Sequence, residues 1–119
     1  MKTILVVDDS EDVRELVGEV LRGEGYAIRE ACQGEEAFEV LAAMKLPPSL
    51  ILLDLMMPVM SGRSFLERLE QGRGADTPPV VVLSASLGSD ALKGASRVVG
   101  KPVSPDALRR LVYEVCGPA

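Results

Sequence analysis

The sequence predicts an α/β fold in which helices cover both faces of a parallel sheet. Apolar runs of strand length alternate with segments of helical period through the 119 residues, and the connections between them are short. Two of the runs, Ser49–Leu53 and Pro79–Leu83, are almost purely apolar, which is typical of strands buried on both faces near the centre of such a sheet. The order of elements predicts five strands, each followed by a helix.

The first strand is predicted over Thr3–Val7, a short run that contains β-branched residues. Ser10 can cap the helix that follows, because its hydroxyl can accept a hydrogen bond from a backbone N–H of the first turn. This helix is expected to end at Gly23 or Gly25, since glycine readily adopts the conformation that terminates a helix. Its apolar residues share one stripe at helical spacing: Val13, Leu16, Val17, Val20 and Leu21.

The second and third strands are predicted over Tyr26–Ala31 and Ser49–Leu53, with a helix between them. That helix begins at Gly34, and Pro47 and Pro48 stop it because proline cannot continue a helix. The inward positions of this second helix follow helical spacing: Ala37, Val40, Leu41 and Met44.

The second half of the chain continues the alternation. Ser61 can cap a third helix, Pro79–Leu83 forms the fourth strand, Arg97–Val99 a brief fifth strand, and Pro105 begins the closing helix. Apolar spacing assigns the inward positions of the third and closing helices: Phe65, Leu66, Leu69, Leu108, Leu111, Val112 and Val115. Between the fourth and fifth strands only a short fourth helix is supported, by Ala91, Leu92 and Ala95.

Composition and charge exclude several classes of function. The formal net charge of -5 is the opposite of the basic surface that nucleic-acid binding requires, so we expect no direct contact with nucleic acid. No apolar stretch approaches the roughly 18 residues of a membrane-spanning helix, and the apolar N-terminal run is too short for an export signal. We therefore expect a cytoplasmic protein without membrane contact, formed by a single domain over residues 1–119.

The two cysteines do not indicate a metal or catalytic site. Cys32 and Cys116 lack the C-x-x-C spacing, and the sequence contains no histidine, which excludes a Cys/His zinc site and a Cys–His nucleophile. We interpret both as small, partly buried thiols.

Polar residues follow the predicted strands at their carboxyl ends. Asp8 and Asp9 follow the first strand, Asp54 the third, Ser84 the fourth and Lys101 the fifth. Each alone has a structural explanation: the acids can shape turns, a serine can bond to the backbone, and a lysine is usually solvated. In an open α/β sheet, however, the carboxyl ends of the strands form the ligand crevice, so we expect these side chains to lie together.

Three carboxylates in one crevice repel each other, and a hard divalent cation relieves that repulsion. Mg²⁺ suits such a site because it takes one or two carboxylates together with water and phosphate oxygens. One of the carboxylates can then act as a nucleophile toward phosphorus, while a lysine ammonium and a hydroxyl group stabilise the transferred charge. The residues that match these needs are Asp54, Lys101 and Ser84.

Four segments resemble the receiver domain of two-component response regulators: VVDDS at 6–10, LLDLMMPVMSG at 52–62, LSAS at 83–86 and GKPV at 100–103. The resemblance covers the whole chain. It implies a flavodoxin-like, doubly wound (βα)5 sandwich whose five-stranded parallel sheet has the order 2-1-3-4-5.

The resemblance also implies the roles of the site residues. Asp54 is the expected phosphoacceptor, and Lys101 and Ser84 are expected to contact the phosphoryl group. The expected Mg²⁺ ligands are Asp8, Asp9, Asp54 and the backbone carbonyl of Met56. Three further residues are expected to shape the loops, the last of them through a cis peptide bond: Pro58, Gly62 and Pro102.

The sequence departs from the family pattern in two places. Val98 occupies the position, three residues before Lys101, where receivers usually have an aromatic residue that moves on activation. The segment between Ser84 and Lys101 is also shorter than usual, which predicts a shortened fourth helix. Both changes affect the face through which many receivers signal, so we expect this protein to signal through another face or a loop rearrangement.

The function that follows is a phosphoacceptor module of a two-component system and not a turnover enzyme. The implied partners are a histidine kinase or a histidine phosphotransfer protein, together with an unknown output partner or a fused output domain. We expect the donor to dock near the first helix, where Arg14, Gly18 and Arg22 should lie outside the apolar stripe.

Two alternatives use the same residues differently. A receiver-like scaffold could signal without phosphorylation, which the two departures from the family pattern favour. An aspartate-based Mg²⁺ phosphohydrolase resembling the haloacid dehalogenases would need an acid two residues after its nucleophile, and Met56 stands there instead.

Overall fold

A computed structural model describes residues 1–54, 62–73, 77–84, 97–100 and 103–119 of the chain. Within these ranges it contains five strands and four helices. Their bounds in chain order are β1 (Thr3–Val7), α1 (Glu11–Gly23), β2 (Ala27–Ala31), α2 (Gly34–Ala43), β3 (Leu50–Asp54), α3 (Gly62–Arg73), β4 (Val80–Ser84), β5 (Arg97–Gly100) and α4 (Pro105–Cys116). The predicted short helix at 91–95 and the Ser61 cap lie outside the described residues.

The strands form one parallel sheet with the order β2-β1-β3-β4-β5, which confirms the predicted fold class and strand order. Three strands, β3, β4 and β5, end one residue later than predicted. β3 ends at Asp54, which pairs with Leu83, and β4 ends at Ser84, which pairs with Gly100. The ladder continues past the apolar runs because it is formed by backbone hydrogen bonds, which do not depend on the polarity of the side chains.

The core consists of two apolar clusters, one on each face of the sheet. Along β1, Leu5 and Val7 belong to the first cluster, whereas Ile4 and Val6 belong to the second. This alternation follows from the two-residue period of a strand. Helices α2 and α3 contribute to the first cluster and α1 and α4 to the second, so both faces are covered as the sequence predicts.

The helix ends follow local sequence signals. The hydroxyl of Ser10 accepts a hydrogen bond from the N–H of Val13 at 3.3 Å, which confirms the predicted cap of α1. The hydroxyl of Ser104 does the same for Ala107 at 3.1 Å, and Pro105 follows as the first residue of α4. These caps fix the direction in which each helix leaves the edge of the sheet.

The buried face of α1 differs from the predicted stripe. Leu16 is 54% exposed, and Gly18, which we expected to lie outside the stripe, is buried. The reason is that α1 packs against β1, β2 and α4, which centres its buried face on Val17, Gly18 and Leu21 and leaves Leu16 at its margin. Arg22 is exposed as expected, but Arg14 is largely buried, with only 15% of its side chain accessible.

The C-terminal end of α4 is hydrogen-bonded to residues that precede β1 and β2, at the amino ends of the strands. The ammonium of Lys2 donates a hydrogen bond to the carbonyl oxygen of Cys116, and the hydroxyl of Tyr26 donates to the carbonyl oxygen of Gly117 at 2.5 Å. Burial raises the pKa of the Cys116 thiol above its ordinary value of 9.0, so the thiol is protonated at neutral pH. Cys32 and Cys116 are both free and partly buried, as predicted.

Among the described residues, none of the helices is both long enough and apolar enough to cross a membrane.

Two glycines are expected to respond to alanine in opposite ways. A Cβ on Gly18 would lie 3.2 Å from the guanidinium Nη1 of Arg22, the movable end of a flexible side chain. Gly18→Ala should therefore stabilise the protein by about 0.5–1 kcal/mol through higher helix propensity. Gly25 has a φ of +97°, a backbone conformation that residues with a Cβ atom rarely adopt. Gly25→Ala should therefore destabilise the protein by roughly 1–2 kcal/mol. Urea unfolding of both variants measures the difference, and equal effects would contradict the packing described for α1.

Candidate functional site

The carboxyl ends of β1 and β3 lie at the same level, because these parallel strands pair in register with Val7 opposite Leu53. The residue that follows this pair is an aspartate in both cases: Asp8 directly after β1, and Asp54 as the last residue of β3. The register alone therefore brings two carboxylates to one edge of the sheet. Asp9 follows directly and adds a third.

These three aspartates form a compact acidic cluster, as the sequence predicts. One carboxylate oxygen from each of Asp8, Asp9 and Asp54 lies within 4.8 Å of the other two. Asp8 is only 2% exposed and Asp54 only 7%, while Asp9 is exposed. Within the part of the chain that the structure describes, Asp8 and Asp54 are the only buried charged side chains. Burying like charges side by side is costly, so this arrangement indicates a functional requirement.

The backbone of Asp8 is held on both sides of its Cα atom. Its N–H donates to the carbonyl oxygen of Ala31 at 3.1 Å, which continues the β1–β2 ladder by one residue. Its own carbonyl oxygen accepts a hydrogen bond from Nη1 of Arg14 at 2.7 Å. Its carboxylate Oδ1 accepts one from the N–H of Ser10 at 2.9 Å. Helical spacing places Arg14 outside the apolar stripe of α1 and does not predict this contact, because the contact depends on how α1 packs against β2.

The composition of the cluster fits Mg²⁺. All three donors are carboxylate oxygens, which is the ligand type that this hard cation takes in proteins. Direct ligands of Mg²⁺ lie about 2.1 Å from the ion, so two of them are at most about 4.2 Å apart. The oxygens of the cluster lie within 4.8 Å of one another, so small side-chain rotations bring them into this span, and a carboxylate that is not a direct ligand can hydrogen-bond to a water molecule bound to the ion. A cation at this position would relieve the repulsion among the three charges.

The remaining predicted site residues are only partly described. Ser84 is the last residue of β4 and pairs with Gly100, the last residue of β5, so these two strand ends lie at the same edge of the sheet as Asp54. Gly62 is the first residue of α3. Four predicted residues lie outside the described ranges: Met56, Pro58, Lys101 and Pro102.

Val98, the position without the family's usual aromatic residue, lies in β5 opposite Val82. It is partly buried and packs against the apolar cluster beneath α2 and α3. Its side chain therefore contributes to the core on that face of the sheet.

An apolar groove runs between α1 and α4 near the same edge of the sheet. Its lining is formed by Val13, Leu16, Val17, Val20, Leu83, Val103, Pro105 and Leu108. The exposed residue Glu19 of α1 lines an adjoining depression that shares Leu16, Val20 and Pro105 with this groove. An apolar surface next to an acidic side chain can accept a partner that presents apolar and basic residues.

Comparison with known proteins identifies the family. The model of the response regulator receiver domain matches residues 4–113. The chain belongs to this family. Receiver domains are signalling modules, and the order of the strands and the acidic cluster agree with that membership.

Curated relatives of this receiver domain include transcriptional regulators. It is 37% identical over 112 residues to the phosphate regulon transcriptional regulatory protein PhoB of Pseudomonas aeruginosa, a match that covers 90% of this chain and 48% of PhoB. It is 35% identical over 108 residues to the transcriptional regulatory protein SrrA of Staphylococcus aureus, covering 86% of this chain and 42% of SrrA. The chain thus spans about half the length of these relatives.

Solved structures share the fold over almost the whole receiver domain. The response regulator TrrA from Thermotoga maritima, solved in complex with Mg²⁺-BeF, has a TM-score of 0.84 and 33% identity, covering 97% of this chain and 99% of TrrA. The chemotaxis protein CheY4 of Vibrio cholerae has a TM-score of 0.85 and 27% identity, covering 97% of this chain and 98% of CheY4.

The acidic cluster predicts how Mg²⁺ should affect stability. At ten times its dissociation constant, Mg²⁺ should stabilise the wild type by about 1.4 kcal/mol, because it binds only the folded state. Asp9→Asn should raise the Tm of the metal-free protein by about 2–4 °C, since it removes one of three repelling charges, and should weaken the response to Mg²⁺.

Asp12→Asn is the matched control, because Asp12 is an exposed acid of the first turn of α1 outside the cluster. Thermal unfolding with and without Mg²⁺ compares the two variants. An equal response to Mg²⁺ in both would show that the three aspartates do not act together.

Proposed function

We propose that this receiver domain accepts a phosphoryl group on Asp54 from a phosphohistidine of a partner protein, with Mg²⁺ bound by the acidic cluster. The observation that supports this most directly is the position of Asp54. Its carboxylate is buried at the end of β3 and lies within 4.8 Å of the oxygens of Asp8 and Asp9. The Mg²⁺-BeF complex of TrrA, 33% identical to this chain, supports the same assignment.

In the proposed reaction a carboxylate oxygen of Asp54 attacks the phosphorus atom. The bond between phosphorus and the histidine nitrogen breaks, and the electron pair of that bond stays on the imidazole. The product is an acyl phosphate on Asp54. The phosphohistidine must come from outside these 119 residues, because they contain no histidine.

The surrounding residues would position the phosphoryl group and balance its charge. Asp8, Asp9 and Asp54, with the backbone carbonyl of Met56, would hold Mg²⁺, which when bound neutralises negative charge on the phosphoryl oxygens. We assign to Lys101 an ion pair with one phosphoryl oxygen. We assign to Ser84, the last residue of β4, a hydrogen bond to another phosphoryl oxygen.

We place the docking site for the phosphohistidine donor at the groove between α1 and α4, which opens near the acidic cluster. Leu16 is 54% exposed there, and an exposed leucine at a groove close to Glu19 suits a helical partner with apolar and basic residues. Histidine kinases and histidine phosphotransfer proteins are the donors that the family implies. We propose that the domain works in the cytoplasm, as a switched module and not as a turnover enzyme.

For output, we propose that the signal leaves through a face other than the one around β5. Val98 is small and packs into the core, so it cannot make the large rotation of an exposed aromatic ring. The partner that receives the signal is either a separate protein or a further domain, as the greater length of PhoB and SrrA suggests.

Intact mass measurement after incubation with acetyl phosphate tests the phosphoacceptor assignment. The wild type should gain one phosphoryl group in Mg²⁺ and none in excess EDTA. Asp54→Asn should gain none, because the amide has a similar shape but is not a nucleophile. Asp12→Asn should behave as the wild type, since Asp12 lies outside the cluster.

Two results would contradict the proposal in different ways. A wild type that binds Mg²⁺ but gains no phosphoryl group would favour the scaffold that signals without phosphorylation. Continuous release of phosphate from a generic phosphomonoester would favour the phosphohydrolase.

A further inference from the structure

We infer that Arg14 is a positioning residue of the acidic cluster, which it serves by holding the peptide group between Asp8 and Asp9. This inference rests on the proposed function only in taking the cluster to be the Mg²⁺ site. The hydrogen bond from Nη1 of Arg14 to the Asp8 carbonyl oxygen, 2.7 Å long, is the observation that leads to it.

The guanidinium of Arg14 connects three elements of the fold. Its Nη1 binds the turn after β1, and its Nε lies 3.3 Å from Oε1 of Glu30 on β2. The Arg14 side chain is 15% exposed and that of Glu30 is 38% exposed, so this ion pair is shielded from water on the arginine side. Arginine suits this position because its planar group presents several N–H donors in a fixed arrangement, which a lysine ammonium cannot do.

The contact controls the direction of two carboxylates at once. A peptide group is planar, so fixing the Asp8 carbonyl oxygen also fixes the nitrogen of Asp9 and the direction in which the chain continues. Repulsion among the three carboxylates of the cluster favours a rotation of this peptide group that moves the carboxylates of Asp8 and Asp9 away from that of Asp54. The N–H of Asp8 is bound to Ala31 of β2, so Arg14 supplies a second attachment, on the carbonyl side, through Glu30 of the same strand.

Arg22 provides a control within the same helix. Its Nη2 lies 3.7 Å from Oε2 of Glu30, so it shares the carboxylate partner of Arg14. It is eight residues further along α1, which corresponds to about 12 Å along the helix axis, and its side chain is 54% exposed. Replacing Arg22 therefore removes the same charge and the same kind of ion pair without affecting the Asp8 carbonyl.

The sign of the effect on Mg²⁺ affinity separates positioning from simple electrostatics. A nearby positive charge repels Mg²⁺, so if Arg14 acted only through its charge, its removal would strengthen Mg²⁺ binding. If Arg14 positions the cluster, its removal should weaken binding about 10-fold, as is typical when a residue that orients metal ligands is lost.

The experiment compares Arg14→Met with Arg22→Met in the full chain. Calorimetric titration with MgCl₂ should show about 10-fold weaker binding for Arg14→Met and a change below about 2-fold for Arg22→Met. Hydrogen exchange without metal should be faster at the amides of Asp9 and Ser10 in Arg14→Met only. Mg²⁺ binding by a folded Arg14→Met that equals or exceeds that of the wild type would overturn the inference.

A third variant decides the matter if Arg14→Met does not fold. Arg14→Lys keeps the charge and the aliphatic stem, but its single ammonium should not hold Asp8 and Glu30 together. Weaker Mg²⁺ binding by the folded lysine variant supports positioning, and binding equal to the wild type refutes it. If the wild type itself binds no Mg²⁺, the metal assignment fails, while the exchange rates at Asp9 and Ser10 still test the role of Arg14.

Discussion

The site depends on one geometric constraint, the parallel pairing of β1 with β3 without any offset at their carboxyl ends. Because Val7 lies opposite Leu53, the aspartates that follow are at the same level along the two strands. A shift by one residue would move Asp8 by about 3.3 Å relative to Asp54 and would exchange the faces of every side chain on the strand. The two apolar clusters prevent this shift, since both faces of β1 are buried in separate sets of partners.

The cluster combines buried like charges with a rigid polar support. Asp8 and Asp54 are almost completely removed from water, and they remain so because the sheet and the start of α1 hold the backbone around them. Ser10 contributes twice, through its N–H to the Asp8 carboxylate and through its hydroxyl to the first turn of α1. The free energy needed to gather the charges comes from the apolar core beneath, which stabilises the fold without contacting any ligand.

Much of this arrangement could be predicted from the sequence, because strand period, helix caps and the order of polar residues are local signals. The position of Asp54 beyond an apolar run was sufficient to place it at the edge of the sheet. The orientation of α1 was predicted less well: Leu16 is exposed and Gly18 is buried, because apolar spacing alone cannot show which of two apolar neighbours a helix faces. The contact of Arg14 with Glu30 was missed since it joins a helix to an edge strand, and no local pattern encodes such a pairing.

The separation of β1 and β3 in the chain has a consequence for folding kinetics. Helix α1, strand β2 and helix α2 lie between them in the chain, so their pairing closes a long loop. The chain loses conformational entropy when this loop closes, before the contacts between the strands compensate for the loss. During synthesis, the binding site for a cation cannot exist until the ribosome has released the end of β3. A cation that binds this site can therefore act on the chain only after its two central strands have paired.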